Sequence, residues 1–472
     1  MTLKLTALKN ICKLTNLCAE AKAPYSTTDT NTLKDLLNAL SINDHSLIIS
    51  WLRLQESLLP LECLWQLQSQ GLVQFTTYIY YNTHLIAGLS ELFEEQIWCQ
   101  DEPVRLHCAE TVAGLLAVLV NLGPHTPRDI FMPSQQLLEA VIEKFVDRLL
   151  EDPLVPEEPV PFLSRLLGSS VCVQSRRKVF CVSLLRTLVQ FSPESVTVEE
   201  AVRDQPELYT LSKSPPAITQ VISEVMSELP AKDVVDELSK IVLEEQFNWH
   251  WLLTTMSVFV ASCVQGAETL KVVVERWLSQ ACATKDTHLL SAAVLCARQC
   301  SGQNCQGFGS YATWFGSLQV RPTSAFTFLY SFLSELVPYE PVLFLKIHVN
   351  KVPSAPANCH SAVADYATLA KTRLADLNQT TDYVGLFGEY TTTEQEGREA
   401  DVAKVIAHFH QTKQIMNIVL EASVFRRQFY EKVFLTELLK SKDLEHAEFI
   451  EKLYSVGKIP HGLYSKWQHL HS

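Results

Sequence analysis

A few stretches of the chain carry residue types that bind phosphate or metal elsewhere, and each fails on spacing. Gly302-Gln-Asn-Cys-Gln-Gly307-Phe308 begins like a phosphate loop, which needs glycines for close backbone approach and a lysine to reach the phosphates. Phe308 stands in the lysine position and no strand pattern precedes it, so an ordinary loop is expected. Gly307-Phe-Gly309 lacks the third glycine of a dinucleotide fingerprint, and neither HExxH nor GxSxG occurs. The best metal set is Cys296, Cys300 and Cys305 with His288 upstream, since three thiolates and an imidazole complete a tetrahedral zinc site. No CxxC pair is present, and the spacing favours ordinary half-buried thiols at a helix end. His408 and His410 fall on opposite helix faces, because ligand pairs need spacings of three or four. Asp443 and His446 have that spacing but no third ligand.

The basic groups suggest contact rather than chemistry. Arg176-Arg177-Lys178 opens one helical segment. Phe425, Arg426, Arg427 and Tyr430 interleave cations with aromatics, a pattern suited to a protein partner or an internal ion pair. Two arginines are too few for a phosphate track. A net charge of −13 likewise opposes direct nucleic-acid binding, since phosphate contacts need clustered Lys and Arg. Paired acids such as Glu199-Glu200 read as solvated faces or helix caps. No residue is assigned to catalysis, to a cofactor or to a metal, and no small-molecule substrate is expected.

The elements that would position any such residues are helices. Gly is only 15 of 472 residues, well under the usual share of about 7%. Apolar residues recur at helical spacing, as at Leu137, Leu138, Val141, Phe145 and Leu149, or at Phe326, Leu329, Phe332, Leu333 and Leu336. The second of these stripes is expected to form a hairpin, across the Pro338–Pro341 break, with a helix from Asn358 or Ser361 burying Tyr366, Leu369, Ala370, Leu374 and Leu377. Short connections make neighbouring helices antiparallel, and 472 residues exceed what a single core holds, roughly 250 to 300. An all-α, irregular α-solenoid is expected: a HEAT-like superhelix of stacked helical hairpins without a fixed repeat signature.

Four segments are expected: a weakly ordered leader, 1–32; a first helical block, 33–150; an acidic Pro-rich linker, 151–167; and a second block, 168–472. The linker rests on four prolines and four acids among residues 151–161. Thirteen cysteines without a secretory signal suit reduced thiols in nucleus or cytoplasm. No run approaches the roughly 20 apolar residues of a membrane span, so no membrane contact is expected.

Three segments add what periodicity lacks. Ser331-Phe-Leu-Ser-Glu-Leu-Val-Pro-Tyr339, Asp365-Tyr-Ala-Thr-Leu-Ala-Lys-Thr-Arg-Leu-Ala-Asp-Leu377 and Glu421-Ala-Ser-Val-Phe-Arg-Arg-Gln-Phe-Tyr430 resemble the Fanconi anaemia group A family, as does the weaker match from Glu56 to Val73. The likeness covers most of Ser46 to Tyr464 and corresponds to the N-terminal half of that family. The resemblance implies a non-catalytic scaffold subunit of the nuclear Fanconi anaemia core complex. That assembly supports substrate monoubiquitination in DNA interstrand cross-link repair. It also implies other core subunits as partners, the group G protein foremost. The family's basic N-terminal segment for nuclear import and group G binding has no counterpart in Met1 to Thr32, which leaves a cytoplasmic pool open. A general helical adaptor for trafficking is the competing reading of an acidic superhelix.

Overall fold

The computed structural model describes residues 6–7, 9–11, 13, 27–38, 40, 45–53, 58–151, 160–192, 196–244, 247–263, 265–301, 308–377, 385–387, 394–425, 427–440 and 444–471. Within them the regular elements are helices. They run α1 (Thr27–Asn38), α2 (His45–Arg53), α3 (Leu61–Ser69), α4 (Phe75–Tyr81), α5 (Ile86–Ile97), α6 (Glu102–Val120), α7 (Arg128–Glu151), α8 (Pro161–Gly168) and α9 (Gln174–Gln190). Next come α10 (Val198–Leu208), α11 (Pro216–Ser227), α12 (Ala231–Leu243), α13 (Trp249–Ser262), α14 (Gly266–Thr284), α15 (Thr287–Ser301), α16 (Tyr311–Ser317) and α17 (Thr323–Leu336). After them lie α18 (Val342–Asn350), α19 (His360–Asp376), α20 (Glu394–Thr412), α21 (Asn417–Phe425) and α22 (Arg427–Phe429). A π-turn, Tyr430–Phe434, leads into α23 (Leu435–Leu438), and α24 (Leu444–Ser455) and α25 (His461–His471) close the series.

Local chemistry sets many of the ends. Asp101 caps α6 by accepting from the Val104 amide at 3.2 Å, and Asn248 caps α13 through the His250 amide at 2.9 Å. Thr197 and Glu200 form a reciprocal capping box on α10. Beyond α3, Gly71 takes a φ of +68°, and the Leu72 amide reaches back to the Leu67 carbonyl at 3.0 Å. A side chain at Gly114 would collide with the Trp65 ring at 2.5 Å, so the glycine lets Trp65 lie flat on α6.

Contacts divide the chain into two units: 1–341 with 351–360, and 342–350 with 361–472. In the first unit many helices pack on their neighbours and on the helix two positions along, as α5 on α7, α6 on α8, α11 on α13, α12 on α14 and α13 on α15, whereas α10 packs on α13 and α15. That alternation is solenoid-like packing, in which each pair buries its apolar stripes on the next. Trp98 stacks on Phe145 with centroids 5.3 Å apart, and Phe145 meets Phe162 edge-on at 5.4 Å, so aromatics join α5, α7 and α8. α6 is long and apolar enough to cross a bilayer, contrary to the expectation that no segment would be, yet most of it is buried against other helices as a core element. The second unit has its own core, built from Val405, Phe409, Tyr430, Phe434, Leu435, Leu438, Phe449 and Leu453 among others.

Residues 6–7, 9–11 and 13 are helical and α1 starts at Thr27, inside the stretch expected to be a weakly ordered leader. Pro161–Gly168 is helical although it overlaps the expected linker: Pro161 occupies the first turn, where its missing amide is harmless, and Phe162, Leu163, Leu166 and Leu167 are buried. Residues 152–159 lie outside the described residues. The expected hairpin across Pro338–Pro341 is not one. α18 intervenes, and α17 and α19 belong to different units. Leu369 is 45% exposed, whereas Tyr366, Ala370 and Leu374 are buried. Their four-residue spacing makes a narrow stripe, and Leu369 sits roughly 100° from its centre at about 100° per residue.

Candidate functional site

Cys296 and Cys300 lie on α15 and are fully buried. Burial pushes the Cys296 thiol up to about 12, which leaves it protonated at neutral pH. His288, near the start of α15, packs its ring against Phe247 at 5.2 Å and Trp249 at 5.7 Å. Cys305 and the phosphate-loop candidate 302–307 lie outside the described residues, as does Asp443. Among the described residues no group of three His, Cys, Asp or Glu side chains is placed to hold a metal ion.

The four residues expected at a partner surface separate. Arg427 is exposed and pairs with Glu431 one turn on, at 2.7 Å. Tyr430 is 1% exposed, and its ring stacks on Phe434 with centroids 5.6 Å apart, so it is a core residue and not a contact. The π-turn explains this. Its wider turn advances the register by a residue, so that Phe429, Tyr430, Phe434, Leu435 and Leu438 all face inward. Arg426 and the side chain of Phe425 lie outside the described residues.

The buried polar groups form clusters in which they partner one another. Arg298 on α15 meets Glu340, from the Pro338–Pro341 break, at 2.8 Å with both side chains essentially inaccessible, and the guanidinium lies 5.4 Å from the centre of the Tyr311 ring. Burial raises the Glu340 carboxyl above the ordinary carboxylate range, and the Arg298 charge offsets part of that rise. Gln205 donates to the Leu295 carbonyl at 2.7 Å and to Gln299 at 2.9 Å, while Ser257 donates to the Tyr209 carbonyl at 3.1 Å. The Gln299 amide also reaches the Tyr209 carbonyl and the Ser257 hydroxyl, so one buried network joins α10, α13 and α15. Glu62 is buried on α3, accepts from Gln96 at 3.0 Å and has the Cys108 thiol at 3.5 Å. Burial moves the Glu62 carboxyl and the Cys108 thiol upward, which favours the neutral form of each.

Two clefts among the described residues are lined by side chains outside these clusters. One of about 600 Å³ is bordered by Leu278, Cys282, Lys285, Leu318, Val320 and Arg321. Another of about 800 Å³, in the second unit, is bordered by Glu399, Ile406, His410, Glu437, Lys440 and His446, with Lys440 already paired to Glu437 at 2.7 Å.

Sequence comparison decides the family. The model for the Fanconi anaemia group A protein N terminus matches residues 50–380, and one described as the FANCA helical domain matches residues 395–469. The chain belongs to the Fanconi anaemia group A family. It is 29% identical over 458 residues to the human Fanconi anemia group A protein, and 27% identical over 451 residues to the mouse Fanconi anemia group A protein homolog. Each match covers 88% of this chain and 31% of the relative, so the chain spans about a third of the length of these Fanconi anaemia group A proteins. The two matched regions meet the fold at different places: the first reaches through α19, whereas the second takes in α20 to α25.

Proposed function

We propose that the chain is a non-catalytic scaffold subunit of the nuclear Fanconi anaemia core complex, supporting substrate monoubiquitination during repair of DNA interstrand cross-links. The observation that carries this reading is the family match over residues 50–380, which takes in the solenoid-like first unit from α3 onward. The packing agrees with a scaffold. Amphipathic helices spend their apolar faces on each other, and the buried Arg298, Glu340, Gln205 and Glu62 are engaged by neighbouring side chains. What remains for function is extended surface, which suits other core subunits such as the group G protein as partners, with no cofactor. Cells deprived of this chain should become several-fold more sensitive to a bifunctional DNA cross-linker, while their sensitivity to a monofunctional alkylator stays near normal. Equal sensitivity to both agents would refute the repair assignment and favour a general adaptor.

A further inference from the structure

Beside the α6–α7 connection the first unit carries an apolar and cationic surface that its own packing does not use. Val171 is 70% exposed, Val173 55% and Val179 61%, although β-branched residues of this kind are ordinarily core material. The two loop valines are fixed in place. The Asn121 side chain donates to the Val171 carbonyl at 2.9 Å and accepts from the Val173 amide at 2.8 Å, much as a neighbouring strand would. α9 then begins with Arg176, Arg177 and Lys178 in its first turns, where the helix dipole repels cations and acids are the usual choice. Arg177 turns inward to Glu228 at 3.7 Å and to the Leu167 carbonyl. Arg176 does not. It borders a recess of about 510 Å³ together with Gly123, Pro124, Thr126, Arg128 and Phe131. A side chain at Gly123 would come within 2.7 Å of the Arg176 guanidinium, so the glycine leaves it room there. Asp129 is the acid nearest in sequence to this group of cations.

We propose that the 169–173 loop and the start of α9 dock an acidic, amphipathic segment of a partner protein, its carboxylates meeting Arg128, Arg176 and Lys178 and its apolar side chains covering Val171, Val173 and Val179. Charge complementarity selects this occupant. The chain as a whole carries −13, so a local excess of cations beside fixed apolar knobs attracts acidic protein surface, and pre-set valines lose little side-chain freedom on contact. Nucleic acid is the poorer fit, because a phosphate track needs a longer run of cations and valine offers bases no stacking face.

The test uses the full chain and fluorescence anisotropy with three labelled probes: an 18-residue helical peptide of Glu and Leu, its Leu-to-Ser counterpart, and a DNA duplex. Binding of the Glu/Leu peptide should weaken about tenfold or more in Val171→Asp and in Arg176→Glu/Lys178→Glu, the scale of losing one anchoring contact. Asn121→Ala should weaken it as well, by freeing the loop, and the Ser peptide should bind at least about tenfold more weakly than the Leu peptide. Val171 is exposed in a loop, whereas Arg176, Lys178 and Asn121 are half-buried, so melting curves of each variant confirm that it stays folded. No binding of the Glu/Leu peptide, binding indifferent to these substitutions, or a duplex that binds more tightly than the peptide would each overturn the proposal.

Discussion

Glu340→Ala should lower the stability of the first unit by about 3 to 5 kcal/mol, because it leaves the Arg298 guanidinium charged and sealed from water with its counter-ion gone. Both partners are essentially inaccessible and lie 2.8 Å apart, so solvent screening does not soften the loss. The Tyr311 ring, 5.4 Å from the guanidinium carbon, returns only a fraction of it. Replacing both members by apolar residues of similar size, as in Arg298→Met with Glu340→Leu, should instead be near neutral, since the desolvation of two charges disappears together with their attraction. Chemical denaturation of the single and double variants checks both outcomes. A single variant as stable as the parent would mean that water reaches the pair in solution.

Tyr430→Ala should destabilise the second unit by about 3 to 5 kcal/mol, the range for removing a large buried aromatic side chain, because the space between Phe434 and the surrounding core cannot close around an alanine. Arg427→Ala, three residues earlier, should leave stability essentially unchanged, since it removes an exposed one-turn ion pair that solvent screens. Leu369→Ala belongs with the small effects for the same reason, being 45% exposed on α19. Differential scanning calorimetry distinguishes the cases. A large drop for Arg427→Ala beside a silent Tyr430→Ala would place Tyr430 back on the surface.

Much of the architecture was written in the apolar period, and the exceptions have identifiable causes. α7 and α17 carry regular stripes, Leu137 to Leu149 and Phe326 to Leu336, and were legible. α4 was not. Its sequence, Phe75-Thr-Thr-Tyr-Ile-Tyr-Tyr81, is rich in β-branched and aromatic residues, and its helical state comes from packing Phe75, Tyr78 and Ile79 into the core. α18 is a short apolar run from which no period can be extracted. At α10 the cap reading of Glu199-Glu200 is the one that holds, through Glu200, and only its partner Thr197 went unnamed in the sequence. Tyr430 was misplaced because it was read by its closeness to Arg426 and Arg427, whereas the π-turn brings it inward together with Phe429 and Phe434. The Arg298–Glu340 contact joins residues 42 positions apart, a pairing that no local pattern can announce.

The central claim is that this chain acts by holding other proteins, and affinity capture from nuclear extract with the full chain as bait measures it most directly. The account predicts that the other Fanconi core subunits are retained together, in comparable amounts and against a salt wash, with the group G protein among them. Retention of transport or trafficking machinery in place of those subunits would contradict it.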